Sequence, residues 1–170
     1  TPGYYYWNTP TASWLRLATA NTGWLTTGNT GIIDGTNFIG TAAGTNVDVA
    51  FRRNNAAAGK IGAASTSFGV GALTNGAATN STAIGNNALS VSTGSNNVAV
   101  GQDALVNSAS TAQWNTAVGT SALRGINNAA AQHNTAIGFE AMTGAGNISN
   151  TTAVGSRALF QNTASNSTAV

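Results

Sequence analysis

One short unit recurs through the second half of the chain, and it leaves few folds open. Ser81-Thr82-Ala83-Ile84-Gly85 is followed by Ala88-Leu89, and Asn97-Val98-Ala99-Val100-Gly101 by Ala104-Leu105. Asn115-Thr116-Ala117-Val118-Gly119 leads to Ala122-Leu123, and Asn134-Thr135-Ala136-Ile137-Gly138 to Ala141-Met142. Thr151-Thr152-Ala153-Val154-Gly155 leads to Ala158-Leu159, and a sixth copy runs from Ser167 to Val170. Upstream, Ser67 to Leu73 reads as a degenerate copy in which Val70-Gly71 abuts Ala72-Leu73 with no spacer. From Ile84 to Val170 the spacing between successive Ile/Val positions is 16, 18, 19, 17 and 16 residues. A helical repeat whose period drifted that far would lose its buried face. A coiled β-structure absorbs the drift, because extra residues bulge into a turn. The period is also shorter than the ~33 residues of the common helical solenoids.

Each unit therefore fits one coil: a short strand, a Gly corner, a second short stretch through Ala-Leu, then a polar turn. Alternation along the strand puts Thr82 and Ile84 on one face and Ser81 and Ala83 on the other. One face fills the coil interior and the other packs against a neighbour. Stacking the coils places Ile84, Val100, Val118, Ile137, Val154 and Val170 in one ladder. Gly85, Gly101, Gly119, Gly138 and Gly155 fall where the chain needs positive φ or a close backbone approach. With ~4.8 Å between stacked strands, six coils make a rod about 3 nm long.

Composition narrows the function classes. Charged residues are 6% of the 170, against about 25% in an ordinary soluble domain. The hydrophobic 42% is rich in Ala, so the core must be thin, and a lone chain with a thin core is marginal. Cysteine is absent, which excludes disulfide staples. Stability then calls for association into a homo-oligomer of closed symmetry. Six basic and four acidic residues leave a net charge of +2, with Arg52-Arg53 the one basic pair. That is too little to neutralise several phosphates together, so nucleic acid is not an expected partner. No run of ~20 apolar residues offers a membrane span. The start at Thr1-Pro2-Gly3 and the stop within a repeat both read as interior to a longer protein.

The N-terminal part differs. Eight of the twelve aromatics lie before residue 52. Trp14-Leu15-Arg16-Leu17 alternates like a strand, as does Trp24-Leu25-Thr26 after a turn at Asn21-Thr22-Gly23. Gly35 to Gly40 reads as a further short strand. Val47, Val49 and Phe51 alternate onto one face before Asn54-Asn55 breaks the run, and Lys60-Ile61 begins the next extended piece. Residues 1–60 are expected to form an aromatic-rich β-module or cap, 61–66 a connector, and 67–170 the repeat region.

The Asn-Thr-Ala-Ile-Gly-x-x-Ala-Leu units, over about residues 67–170, resemble head repeats of trimeric autotransporter adhesins, the YadA-like head family. They are also similar to repeats in bacteriophage and contractile-injection-system tail fibres. The stretch from Trp24 to Lys60, with Thr36-Asn37-Phe38-Ile39-Gly40-Thr41 and Phe51-Arg52-Arg53-Asn54-Asn55, resembles segments that precede such repeats in fibre-like proteins of Bacteroidetes and their phages. The resemblance implies an all-β fold: a homotrimeric left-handed parallel β-roll of solenoid-like coils behind a small β-module. It also implies a role in attachment, outside the cell, on a virion or injection-system fibre or on a bacterial surface. The expected partners are two further copies of the chain, neighbouring fibre segments, and a glycan or protein receptor. The family's apolar positions fall on Ile84, Val100, Val118, Ile137 and Val154 and its glycines on Gly85, Gly101, Gly119, Gly138 and Gly155, all structural. The variable turns depart from the family pattern, as does the absent spacer near Gly71.

Catalysis finds little material. His133, the one histidine, sits in the turn before a repeat, where a solvated residue is the simpler reading. Asp103 and Glu140 occupy the same spacer position in different coils, about 10 Å apart if two coils separate them. That approaches the spacing of an inverting glycosidase pair. The same position holds Asn87, Ser121 and Arg157, so it reads as a solvent-facing spacer. Gly69-Val70-Gly71 and Gly144-Ala145-Gly146 lack the helix and Lys of a phosphate loop. No cofactor or metal is expected. Asn80, Asn147, Asn150 and Asn166 open Asn-x-Ser/Thr triplets, which chance explains in so Asn- and Thr-rich a chain. A Thr ladder from Thr82 to Thr168 raises ice binding, but Val98 interrupts it. Tyr4, Tyr5, Tyr6 and Trp7 are the candidate ligand contacts, as an aromatic platform for sugars; packing against a neighbouring module is the competing reading. Trp114 and Phe139, in a turn and a spacer, are either exposed contacts or packed between chains.

Overall fold

The computed structural model describes residues 5–8, 13–16, 48–74, 78–91, 94–106, 112–126 and 131–170. Among these there is no helix; the chain is all-β. It divides into two compact units, residues 1–40 and 41–170. In the first, β1 (Tyr5–Asn8) pairs antiparallel with β2 (Ser13–Arg16), so Trp7 lies across from Trp14 in the register. The expected strand at Trp14 is present. The strands expected at Trp24 and Phe38 lie outside the described residues, as does Tyr4.

The second unit is one nine-stranded sheet. It begins with a hairpin, β3 (Val49–Arg53) and β4 (Ala56–Ile61). Asn54 and Asn55 both take positive φ, 48° and 61°, as a two-residue type I′ turn requires and as Asn tolerates. The second extended piece thus starts at Ala56, earlier than Lys60. β4 pairs antiparallel with β5 (Ser65–Phe68). Residues 49–60, expected in the N-terminal module, and Ile61 and Ser65–Thr66 of the expected connector are therefore hydrogen-bonded into the sheet of the repeats.

From β5 onward every pairing is parallel. β6 (Ser81–Ile84), β7 (Val98–Val100), β8 (Thr116–Val118), β9 (Thr135–Ile137), β10 (Thr152–Val154) and β11 (Thr168–Ala169) stack in sequence order. The result is a β-solenoid of about six turns. The register joins Ile84, Val100, Val118, Ile137 and Val154 in one rank, as the spacing predicts. Phe68 precedes them in it, and Val170, expected as the sixth member, follows the last paired residue, Ala169. It also corrects the upstream copy. Phe68 and not Val70 occupies the Ile/Val rank, Gly69 occupies the Gly rank, and Val70-Gly71 is the spacer.

The Gly corner is required twice over. Gly69, Gly85, Gly101, Gly119 and Gly138 have φ of 128–134°, a region closed to L side chains. A Cβ on any of them would also lie 2.3–2.5 Å from the carbonyl oxygen of the Gly one coil on. Each Gly-x-x-Ala is a β-turn: Ala88 N–H donates to Gly85 O at 3.3 Å and Ala104 N–H to Gly101 O at 3.3 Å. Its third residue takes positive φ, as in a type II turn. Asn87, Asp103, Ser121, Glu140 and Arg157 stand there at 52–57°.

The interior is thin and made of small residues. Ala83, Ala99, Ala117, Ala136 and Ala153 are wholly buried on the strand wall, and Ala88, Ala104, Ala122 and Ala141 beyond the corner. Leu89, Leu105, Leu123 and Met142 fill the space between, also with no exposed surface. All four adopt left-handed φ of 52–54°, at a cost of about 1–2 kcal/mol each. Burying such a side chain returns about 1.5–3 kcal/mol. The conformation also aims Leu89 N–H at Ala104 O, 3.1 Å away in the next coil. Burial and hydrogen bond together outweigh the strain.

Candidate binding surfaces

Which strand face is inside is settled by what stands beside the alanines. Two residues before each buried Ala is Ser81, Asn97, Asn115, Asn134 or Thr151, and all five are buried. The asparagines form an axial ladder. Asn97 Nδ2 donates to Gly94 O (3.0 Å) and Ala112 O (2.9 Å). Asn97 Oδ1 accepts from Asn115 N–H (2.9 Å) and Asn115 Nδ2 (3.2 Å). Asn115 repeats this toward Ala131 O, Asn134 N–H and Asn134 Nδ2. Asn134 does so toward Ile148 O and Thr151 N–H. Ser65 and Ser81 continue the ladder upward by accepting from Ser81 N–H and Asn97 N–H. Every donor and acceptor of the Asn115 amide is matched, which burial of an amide demands.

The Ile/Val rank therefore faces outward. Ile84 is 43% exposed and Ile137 40%, Phe68 is also exposed, and Val100, Val118 and Val154 are half-buried. Beside it runs a second outward rank, Thr66, Thr82, Val98, Thr116, Thr135, Thr152 and Thr168. The two ranks hold no charged residue. A regular apolar sheet face of this kind is what an association surface looks like, since scattered exposed hydrophobics are ordinary and contiguous ones are not.

Each of the described carboxylates has its own polar partners. Glu140 is ion-paired with Arg157 one coil away at 2.6 Å, and Arg157 also lies over the Phe160 ring at 5.3 Å. Asp103 Oδ1 accepts from Asn87 Nδ2 at 3.2 Å. Asp48 pairs with Lys60 across the first hairpin at 3.0 Å. The Lys60 ammonium, by hydrogen bond and by charge, holds the Asp48 carboxyl below the usual range. The spacer is not uniformly solvent-facing: Asn87 and Arg157 are exposed, but Ser121 is buried. Beside the first hairpin, Phe51, Arg52, Lys60, Leu73 and Thr74 line a cleft of about 300 Å³.

His133 is exposed, as its turn position suggests, but it is not isolated. Its ring lies parallel to that of Trp114 on the preceding coil, with centroids 5.0 Å apart and planes 4° from parallel. Phe139 is exposed in its spacer. Neither the ladder nor this stack is visible in composition. The ladder's signal is the polar residue at i−2 from each Ala; the stack's signal is aromatics at one position of adjacent copies. Of Tyr5, Tyr6 and Trp7 the structure describes the β1 backbone. Comparison with known proteins finds no family model, curated protein or solved structure that matches the chain.

Proposed function

We propose that this chain is a structural and adhesive segment of a homotrimeric fibre, of the tail-fibre or surface-adhesin kind, which attaches its bearer to a cell surface. The coils form a left-handed roll in this reading, and three chains surround a common axis outside the cell. The observation that carries it is the uncharged, outward Ile/Val rank backed by the Thr rank. A solenoid whose interior is mostly Ala and Leu, with Ile126 and Ile148 buried outside the strands, leaves the β-branched residues of its strands facing outward, and association of copies removes them from water. At about 25 cal/mol per Å² of apolar surface covered, burial of such a face contributes several kcal/mol. The resemblance of the repeats to trimeric heads and tail fibres supports three as the number. The engagement of Glu140 and Asp103 by neighbouring coils supports a role without catalysis. Light scattering or sedimentation of the chain tests it: a mass of three chains is expected, and a stable folded monomer sinks the reading.

A second reading is a lectin-like module in which Tyr5, Tyr6 and Trp7 contact glycans. The β1–β2 hairpin favours it by setting Trp7 across from Trp14 in one small sheet. Glycan binding lost in both Trp7→Ala and Tyr5→Ala is its expected signature.

A further inference from the structure

The corner just before each strand is built the same way in most coils. Its last residue takes left-handed φ: Asn80 at 54°, Asn96 at 60°, Asn150 at 55° and Asn166 at 57°. Asn is, after Gly, the residue that conformation suits best. Before it stands a hydroxyl residue, Thr79, Ser95, Ser149 or Ser165, and these bond along the axis: Thr79 Oγ1 lies 2.8 Å from Ser95 Oγ, and Ser149 N–H donates to Ser165 Oγ at 3.0 Å. Two adjacent coils break this rule together. They read Gln113-Trp114 and Gln132-His133, with Trp114 at 54° and His133 at 56°. His tolerates that conformation, but a bulky indole gains nothing locally from it. Burial accounts for the left-handed leucines, but Trp114 is exposed, and an exposed indole held there against propensity points to a role outside the fold.

Three observations converge on the same corner. The two rings stack along the axis, yet Trp114 remains 47% exposed. Gln113 and Gln132 are half-buried beside them and their backbones form an isolated parallel bridge. The two coils are also the longest, at 18 and 19 residues, with their extra residues between Leu105 and Ala112 and between Leu123 and Ala131. Lengthened turns flanking a rigid scaffold are where binding residues collect.

The chemistry of the corner selects a ligand class. Residues 112–116 and 131–135 contain no Asp, Glu, Lys or Arg, so nothing there matches a phosphate or carboxylate. The corner offers an exposed indole, an imidazole, and amides that both donate and accept. The C–H face of a pyranose carries partial positive charge that suits the negative face of an aromatic ring, and its hydroxyls suit amides. We propose that Trp114, His133, Gln113 and Gln132 form a subsite for a neutral pyranose of a surface glycan. This rests on the adhesive reading for its biological sense and names the ligand class of that adhesion.

The test uses the intact chain in its solution assembly on an array of neutral glycans, followed by calorimetric titration of the best-bound oligosaccharide. Trp114→Asn and His133→Asn restore the residue that the other coils carry, so the fold is its own control. Trp114→Asn should weaken binding roughly three- to tenfold, the size expected for losing one aromatic stacking contact. Its melting temperature should be no lower than that of the unaltered chain, and Trp7→Ala should leave binding intact. The proposal is overturned if no neutral glycan is bound, if the double Asn variant binds as before, if Trp7→Ala abolishes binding, or if Trp114→Asn changes the assembly mass, which would make the stack an inter-chain contact. A monomer that binds sugar through Trp114 would sink the fibre reading and leave this one standing.

Discussion

Within each three- or four-residue rung, neighbouring side chains meet opposite demands. The inward pair, Asn115 and Ala117 for example, has almost no exposed surface; the outward pair, Thr116 and Val118, is half-buried. The inward side is small and polar, and the outward side is β-branched and more apolar. This inverts the usual pattern of a half-buried strand, and two causes explain it. At the strand positions the solenoid is so narrow that an inward Ile in place of Ala99 or Ala117 would overfill it, whereas Ile126 and Ile148 are fully buried outside the strands. The tight corner also leaves backbone groups, Ala112 O and Ala131 O among them, that an inward polar side chain must satisfy: an Asn amide there, and the Ser65 hydroxyl at Ala78 O. The outer face has no such limits.

The contrast is easiest to break from inside. Asn115→Asp should give the largest effect. A carboxylate cannot donate to Asn97 Oδ1 or Ala131 O and would be buried charged, so a loss of about 4 kcal/mol or more is expected in urea unfolding. Asn115→Ser should be milder, since Ser81 fills the same role one end of the ladder over. Gly101→Ala belongs near the top as well: backbone strain and contact with Gly119 O should cost roughly 3–5 kcal/mol in thermal or chemical unfolding.

Next comes the interior packing. Leu105→Ala should cost about 2–5 kcal/mol by removing a fully buried side chain, reduced toward the lower end if neighbouring coils collapse. On the outer face, Val118→Thr should change the stability of an isolated chain by no more than about 0.5 kcal/mol. The charged pair Val118→Asp with Ile137→Asp should lower the assembly mass while β-sheet circular dichroism persists. If these outer changes unfold the chain as severely as Asn115→Asp, the division of labour is wrong.

The smallest effect concerns pH. The Asp48 carboxyl is held low by Lys60, so its stabilising contribution is present above the ordinary Asp pKa of about 4. That contribution is lost as pH falls through the depressed folded value. Both partners are exposed, so the loss is slight and local. Hydrogen exchange in β3 and β4 should quicken modestly at acid pH, and Asp48→Asn should abolish that dependence.

Much of the solenoid was legible because its signals are local and repeated. Ile/Val spacing, the invariant Gly and the Ala-Leu step predicted the stacking, the rank from Ile84 to Val154, and positive φ at Gly85 and Gly101. The upstream copy misread because two Gly-containing pairs, Phe68-Gly69 and Val70-Gly71, fit the pattern, and only pairing to Ile84 distinguishes them. The left-handed leucines carried no signal, since propensity alone argues against them. The Trp114–His133 stack depends on residues 19 apart being axial neighbours.

The sequence by itself determined the coil, because strand alternation and glycine's missing Cβ are properties of single residues and their nearest neighbours. Tertiary structure alone decided which face lies inside. That choice depends on the width of the closed coil and on which carbonyls its corners leave unpaired, and neither exists until the chain has wound back on itself. Hydrophobicity taken alone would have put Ile84 and Val118 in the core; packing volume and amide hydrogen bonding put Ala83, Ala117 and Asn115 there instead.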